Sequence, residues 1–119
     1  MTNNILIQND QGRQSPHRSL LVRIPYGEAN ARRMNDLARV FGEDTRTIRK
    51  RIERARLAGN VIAGTGAGYF VPCSEDELRR YVHTGTERIA TAIACLAPAV
   101  HLLEELEAQK EDSRDDQNE

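Results

Sequence analysis

The residues of this chain best suited to chemistry are six cationic side chains crowded into one short segment. They are Arg46, Arg49, Lys50, Arg51, Arg54 and Arg56. Only Asp44 and Glu53 oppose them between residues 44 and 59, so the segment carries a net charge of +4. Such density suits a polyanion, because releasing counterions from phosphates favours association before any base is read. Taken alone, the same run of charge also fits an ordinary solvated surface.

The apolar residues of this segment predict a helix with one buried face. Ile48, Ile52 and Ala55 recur at i, i+4 and i+7, which places them on one stripe and leaves the cations on the remaining faces. Asp44 is suited to be the N-cap because its carboxylate can accept a hydrogen bond from a free first-turn N–H. Gly59 is suited to end the helix because glycine tolerates positive φ. The sequence therefore predicts a helix that presents its cations to solvent.

The overall charge hides an asymmetry along the chain. The 119 residues carry a formal charge of −1, and 39% of them are hydrophobic, enough for one modest core. Residues 1–103 contain fifteen Lys and Arg against ten Asp and Glu, whereas residues 104–119 contain two against eight. The larger part is thus +5 and the C-terminal part −6.

Several classes of protein are not indicated by the sequence. No uninterrupted apolar run reaches the roughly 18 residues of a membrane span, and the N-terminus lacks the pattern of a secretion signal, so we predict a cytoplasmic protein without a membrane partner. Cys73 and Cys95 stand alone, which indicates neither a metal site nor a disulfide. No catalytic motif is present, so we predict no enzyme activity, no cofactor and no small-molecule substrate.

Four segments are predicted in chain order. Residues 1–18 form a flexible N-terminal arm or an added strand, residues 19–73 a globular domain, residues 74–108 a long helix, and residues 109–119 a disordered acidic tail. In the domain, Ser19 is a candidate cap of a short helix that ends before Pro25. A second helix is predicted over Arg33–Phe41, followed by a turn at Gly42.

The segment after Gly59 changes from a helical to an extended pattern. Val61–Ala63 and Tyr69–Val71 read as two strands of a hairpin, with Gly64–Gly68 as the turn between them. A phosphate-binding loop is the alternative for these glycines. It is disfavoured because no Lys-Ser or Lys-Thr pair follows and the glycines join two strands instead of opening a helix.

The last third of the chain predicts a long helix with an apolar seam. Ser74 and Glu77 have the spacing of a capping box, and Pro98 is expected to bend or split the helix. The seam follows spacings of four and three and consists of Leu78, Val82, Gly85, Ile89, Ala92, Leu96, Ala99, Leu103 and Leu106. Such a seam serves either a homodimer through Leu78–Leu106 or packing on the chain's own core.

The pattern of key residues resembles the winged helix-turn-helix of prokaryotic regulators, including the DNA-binding domain of the biotin-protein ligase/repressor. The matching residues are Leu37, Gly42, Ile48, Ile52, Gly59, Gly68, Tyr69 and Pro72. The run Ile24-Pro25-Tyr26-Gly27, the segment from Ile48 to Gly59 and the run Gly68-Tyr69-Phe70-Val71-Pro72 resemble more closely the small winged-helix proteins of tailed phages and prophages. This resemblance covers about residues 20–106.

The resemblance implies a mainly α fold with a small β-hairpin, namely a winged helix-turn-helix followed by a long C-terminal helix. It further implies sequence-specific binding of double-stranded DNA, with the cationic helix in the major groove and a role in regulating transcription. The implied base or phosphate readers are Thr45, Arg46, Arg49 and Lys50, and the implied phosphate contacts are Arg54 and Arg56. The hairpin tip Gly66–Gly68 departs from the family because it lacks Lys and Arg. A replication or excision accessory factor and a protein-interaction adaptor remain alternatives.

Overall fold

A short helix, a helix-turn-helix, a hairpin and a long helix follow one another along the chain. The computed structural model describes residues 4–10 and 15–117. The elements are α1 (Arg18–Leu21), a 3-10 turn (Glu28–Asn30), α2 (Met34–Phe41), α3 (Thr45–Leu57), β1 (Ala63–Thr65), β2 (Gly68–Phe70) and α4 (Glu75–Gln117). The predicted fold class, mainly α with a small hairpin and a long C-terminal helix, is confirmed.

The turn between α2 and α3 is built as the sequence predicts. Gly42 ends α2 with φ +64° and ψ +31°, a left-handed conformation that glycine adopts without steric cost. Asp44 is the N-cap of α3, and its Oδ1 accepts a hydrogen bond of 2.7 Å from the Thr47 N–H. Gly59 follows the end of α3 with φ +102°. Both ends of the cationic helix are therefore fixed by local backbone chemistry.

The core of the fold lies beneath the apolar stripe of α3. Ile48, Ile52 and Ala55 are at most 1% exposed and pack with residues from α1, α2 and the hairpin. Those partners are Leu20, Ile24, Leu37, Ile62 and Val71. Burying an isoleucine side chain is worth about 1.5–3 kcal/mol, so the stripe seats α3 firmly. The predicted buried face of this helix is confirmed.

The hairpin has a shorter turn than the sequence suggested. β1 and β2 pair antiparallel with Ala63 opposite Phe70 and Thr65 opposite Gly68, so only Gly66 and Ala67 form the loop. Gly64 and Gly68, predicted to lie in the turn, belong to the strands instead. Two-residue loops are the commonest connections in β-hairpins.

A third extended segment pairs with the hairpin. Arg32 lies opposite Tyr69 in an antiparallel bridge, with the Tyr69 N–H donating to the Arg32 carbonyl at 2.7 Å and the Arg32 N–H donating back at 3.0 Å. Gly68 sits where this segment comes closest. A Cβ on Gly68 would lie 2.4 Å from the Arg32 carbonyl oxygen, and its φ is +126°. Only glycine fits this position, and the hairpin is thereby tied to the start of α2.

The N-terminal segment differs from the predicted flexible arm. The Ile5 N–H donates to the Cys73 carbonyl at 2.9 Å, and Asn9 exchanges two hydrogen bonds with the backbone of Val61, at 2.7 and 3.0 Å. Residues 4–10 are therefore held on the domain as an added extended segment, which was the alternative prediction for this part of the chain. The rest of residues 1–14 lies outside the described residues.

Two predicted caps are also built differently. His17, not Ser19, precedes the first residue of α1, and the Ser19 hydroxyl accepts a hydrogen bond from Arg51 at 2.7 Å. At α4 the Glu77 N–H donates to Ser74 Oγ at 3.2 Å, as a capping box requires. The Glu77 carboxylate, however, accepts the Glu28 N–H at 2.8 Å, because that free amide opens the 3-10 turn.

Helix α4 is longer than predicted. It runs from Glu75 to Gln117 without a break at Pro98, whereas the prediction bent or split it there and ended it at residue 108. Residues 109–117, predicted as a disordered tail, are helical because adding a residue to an existing helix costs far less than starting a new one, and Gln109, Lys110 and Glu111 are good helix formers. The chain divides into two compact units, one up to Val82 and one from His83.

We predict that Gly68→Ala lowers the free energy of unfolding by about 1–3 kcal/mol, because its Cβ meets the Arg32 carbonyl and its backbone is left-handed. Urea unfolding followed by circular dichroism measures this. Gly66→Ala is the matched control: its Cβ has no atom within 4 Å, so the change should stay within about 0.5 kcal/mol. Equal effects of the two substitutions would contradict this account of the hairpin.

Candidate nucleic-acid interface

The face of α3 opposite the core carries cations at its centre. Each helical residue rotates the side-chain direction by about 100°, so Arg46 and Lys50 point away from the stripe of Ile48 and Ile52. Arg49 lies on one flank of this outward face and Arg54 on the other. All four cations are exposed, and Thr45, at the first turn, is half-buried. The predicted readers are thus brought together on one surface, with Thr45 at its edge.

These four cations are uncommitted within the described part of the chain. No ion pair or side-chain hydrogen bond joins Arg46, Arg49, Lys50 or Arg54 to another described residue. Glu53 is exposed on the same outward side, one turn after Arg49 and Lys50, and Asp44 at the cap feels the charge of Lys50. A guanidinium without an internal partner keeps all five of its N–H donors for a ligand. This surface, defined by Arg46, Arg49, Lys50 and Arg54, is here called the cationic face.

Arg51 belongs to the scaffold and not to the cationic face. Its Nη1 lies 3.1 Å from Glu43 Oε1, its Nη2 donates to Ser19 Oγ at 2.7 Å, and its guanidinium stacks 4.4 Å from the centre of the Phe41 ring. One side chain therefore ties α1, the end of α2 and the turn to α3. This anchoring fixes the orientation of the cationic face.

Arg56, predicted as a phosphate contact, is engaged inside the domain. Its Nε donates to the Ile62 carbonyl at 2.8 Å, and its guanidinium lies 5.7 Å from the centre of the Tyr81 ring. The first of these contacts joins the end of α3 to the strand that follows. The prediction failed to foresee this because residue 62 comes within reach only after the chain turns back at Gly59. Arg56 is thus a positioning residue for the hairpin.

The cap of α3 is electrostatically tuned. Hydrogen bonds from the side chain and the backbone N–H of Thr47, together with the charge of Lys50, hold the pKa of Asp44 below its usual range. The carboxylate stays ionised at neutral pH and complements the positive end of the α3 dipole. It also places one negative charge beside the first turn of the cationic face.

Two features near the cationic face were missed by the sequence analysis. Arg33 is exposed and directly follows Arg32, which pairs with the hairpin, so this segment brings positive charge beside a hairpin whose tip has none. The bridge joins residues 37 positions apart, and no local pattern indicates it. Leu57 is 81% exposed at the last turn of α3. Its place seven residues after Lys50 is the signal that puts it on the outward side.

Other kinds of site find little support among the described residues. No group of three or more His, Cys, Asp or Glu side chains is arranged to hold a metal ion there. Cys73 and Cys95 are free thiols. The Glu77 carboxylate, 3.1 Å from Cys73 Sγ, raises the pKa of that thiol by hydrogen bonding, and burial and the negative charge of Glu77 add to the effect. A thiol held protonated in this way is a poor nucleophile.

Helix α4 carries exposed apolar side chains. Between 46% and 64% of each is accessible for Ile89, Ile93, Leu96, Val100, Leu102, Leu103 and Leu106. By length and composition the helix also meets a criterion for a membrane span, since one 18-residue window has a mean hydropathy of 1.5 and at most two charged residues. The sequence analysis found no such span because it counted uninterrupted runs, whereas an average tolerates Pro98 and His101.

Comparison of the chain with protein-family models, with curated proteins and with solved structures found no match. The case for any function therefore depends on the residues themselves.

We predict that Arg56→Ala lowers the free energy of unfolding by about 1–3 kcal/mol, because the Ile62 carbonyl loses a charged donor. Arg54→Ala is the matched control two residues away. It removes the same charge from an exposed side chain without a described partner and should change stability by no more than about 0.5 kcal/mol. Chemical unfolding of both variants measures the difference, and equal stabilities would contradict the scaffold role of Arg56.

The lowered pKa of the N-cap Asp44 predicts that the stability of the fold depends on pH. Because the pKa of Asp44 is lowered in the folded state, its stabilisation is present above the ordinary aspartate pKa and is lost as the pH falls through the lowered value. Asp44→Asn keeps a capping oxygen that does not titrate. The native protein should therefore exceed this variant in Tm at pH 7, and the gap should close below about pH 4. A gap that is constant from pH 3 to pH 7 would rule out the titration of Asp44 as its source.

Proposed function

We propose that this protein is a non-enzymatic, sequence-specific binder of double-stranded DNA that inserts α3 into the major groove. The observation that carries the proposal is the cationic face: four uncommitted cations on one side of a helix whose other side is buried. A helix of this kind fits the roughly 12 Å wide major groove. The alternative is an ordinary solvated surface, and the DNA-binding experiment below distinguishes the two.

The positions on α3 suggest a division of roles. Arg46 and Arg49 lie in the first half of the helix, where side chains of recognition helices reach base edges, and Arg is suited to grip guanine O6 and N7 with two hydrogen bonds. Thr45 and Lys50 flank them and suit a phosphate or a base. Arg54, one turn further along, is suited to a phosphate contact that positions the domain. Arg33 supplies a further cation beside the hairpin.

The charge distribution supports the same partner. Up to Val82 the chain contains fourteen Lys and Arg against nine Asp and Glu, whereas from His83 it contains three against nine. The unit that contains α3 is thus +5, and the other is −6. A polyanion is attracted to the first and repelled by the second. No cofactor or small-molecule substrate is needed for such binding.

The biological setting follows from resemblance. The chain resembles small winged-helix proteins of tailed phages and prophages, so we propose a cytoplasmic regulator of phage or prophage transcription. A replication or excision accessory factor would use the same DNA contacts. A protein-interaction adaptor is the second candidate, and the observation that favours it is the exposed apolar side of α4. An adaptor would bind its partner without Arg46 and Arg49.

The proposal predicts salt-dependent binding to duplex DNA that requires the cationic face. The slope of log K against log salt should fall by about 1 for each phosphate contact removed. Arg46→Ala/Arg49→Ala should weaken binding at least roughly tenfold at low salt, because two charge-assisted contacts are lost. Fluorescence anisotropy with a labelled random-sequence duplex and with selected binding sites measures both quantities.

Arg79→Ala is the matched control for this experiment. Arg79 is exposed and lies within hydrogen-bonding reach of Glu75, outside the cationic face, so its loss removes one charge and should leave affinity within about twofold. All variants should unfold at temperatures close to that of the native protein. Duplex binding that survives the double substitution, or no duplex binding at low salt, would overturn the proposal. Capture of a protein partner by the double variant would favour the adaptor.

A further inference from the structure

Six residues of α4 between Gly85 and Leu103 alternate in size along a seven-residue repeat. The large members are Ile89, Leu96 and Leu103, and the small members are Gly85, Ala92 and Ala99. The steps between neighbours are four, three, four, three and four residues, so all six follow one seam of a single helix. In coiled-coil terms the large residues occupy position a and the small residues position d. This alternation determines which orientation of a partner helix can fill the space.

A parallel pairing with a second copy would pack badly. In a parallel pair each layer contains the same residue from both helices, so Gly85, Ala92 and Ala99 would each face their own copies. The layers of Leu96 and Leu103 would hold the helices apart at those levels. Cavities would remain in every small layer, and buried cavities are costly because their lining loses contacts.

An antiparallel pairing matches large to small in the six layers from Gly85 to Leu103, and the next seam residue, Leu106, lies level with Val82 of the second copy. Position a then faces position d, which sets Leu96 against Ala92 of the second copy, Ile89 against Ala99 and Leu103 against Gly85. The members of every pair are symmetric about residue 94, so this register is compatible with a two-fold axis. Shifting the register by seven residues either way keeps only four of these six residues paired with one another, and the shift towards the N-terminus sets Val82 against Ala99. We propose that the exposed seam of α4 binds a second copy of this chain in antiparallel orientation, centred at residue 94.

Charge favours the same orientation. Five acids and one base follow the seam, namely Glu104, Glu105, Glu107, Glu111, Asp112 and Lys110. A parallel pair would set two such segments, each of charge −4, side by side. An antiparallel pair sets them at opposite ends of the seam. Like charges are thereby separated.

The outward side of α4 suits water. Glu87, Thr91, His101 and Glu105 lie opposite the seam and are exposed. Pro98 lies on this side too and provides no N–H for the Ala94 carbonyl, which water can satisfy where it faces solvent. The same side also carries Ala90, Ala94 and Ala97, so lipid is the competing occupant that the vesicle experiment below distinguishes. This inference uses a surface separate from the cationic face and stands whether or not the protein binds DNA.

The orientation can be measured on the full chain by electron-spin distance. A nitroxide is attached at His83→Cys in a Cys73→Ser/Cys95→Ser background, whose solution mass must match that of the native protein. In the proposed register residue 83 lies level with residue 105 of the second copy, so the two labels should be separated along the helices by about 33 Å. In a parallel pair the labels would lie level with each other, across helices about 8–10 Å apart. A short distance at residue 83 would overturn the proposal.

A size swap tests the layers without labels. Ala92→Leu sets a large residue against Leu96 of the second copy and should raise the dimer dissociation constant by roughly tenfold or more, since overpacking is costly. Ala92→Leu/Leu96→Ala restores one large and one small residue in each central layer and should recover most of the affinity. In a parallel pair Ala92→Leu would fill a cavity and tighten the dimer. Sedimentation equilibrium distinguishes these results, and tightening by Ala92→Leu would overturn the proposal.

Two further controls complete the test. Leu96→Glu should give a monomer, whereas Thr91→Glu on the outward side should remain a dimer. Both should keep the unfolding transition of the unit up to Val82, so a loss of dimer cannot be attributed to unfolding. A native chain that is monomeric at about 100 µM and cosediments with neutral phosphatidylcholine vesicles would show that lipid covers the seam. A monomer without vesicle binding would equally overturn the proposed second copy.

Discussion

The burial of Ile48, Ile52 and Ala55 of α3 in the core is the constraint on which the rest of the unit up to Val82 depends. These three side chains are almost wholly buried, so the rotation of the helix about its axis is fixed. Every other residue of α3 then has a determined direction. Asp44 and Gly59 fix the residues at which α3 begins and ends. The chemistry of the outward side thus follows from hydrophobic packing on the inward side.

The same side-chain type takes two roles on α3 according to its direction. Arg51 and Arg56 emerge at the borders of the buried stripe and find partners there: Glu43 and Ser19 for the first, the Ile62 carbonyl for the second. Arg46 points away from these groups and has no described partner. Arginine suits both roles because its stem packs on apolar surface while its fork of donors bonds in a plane. The internal contacts of Arg51 and Arg56 therefore help to fix the orientation of the cationic face.

What the sequence predicted well is what short-range chemistry determines. The stripe of α3, the cap at Asp44 and the left-handed glycine at position 42 depend on residues within one or two turns of each other. The contacts it missed join distant positions. The bridge of Arg32 to Tyr69 and the grip of Asn9 on Val61 depend on how the whole chain returns on itself, and no periodicity records this. Four of the predicted site residues are exposed together because the helix pattern of α3 determines their direction. Arg56 is engaged internally because the chain returns to it after Gly59.

The pairing proposed for α4 has a consequence for symmetry. An antiparallel pairing about residue 94 would separate the two copies of His83 by about 33 Å along the helices. A two-fold pairing also requires that both copies read the same half-site in opposite directions, which predicts an inverted repeat as the preferred target. The size alternation at Gly85, Ala92 and Ala99 thus bears on DNA recognition through symmetry, although none of these residues lies on the cationic face.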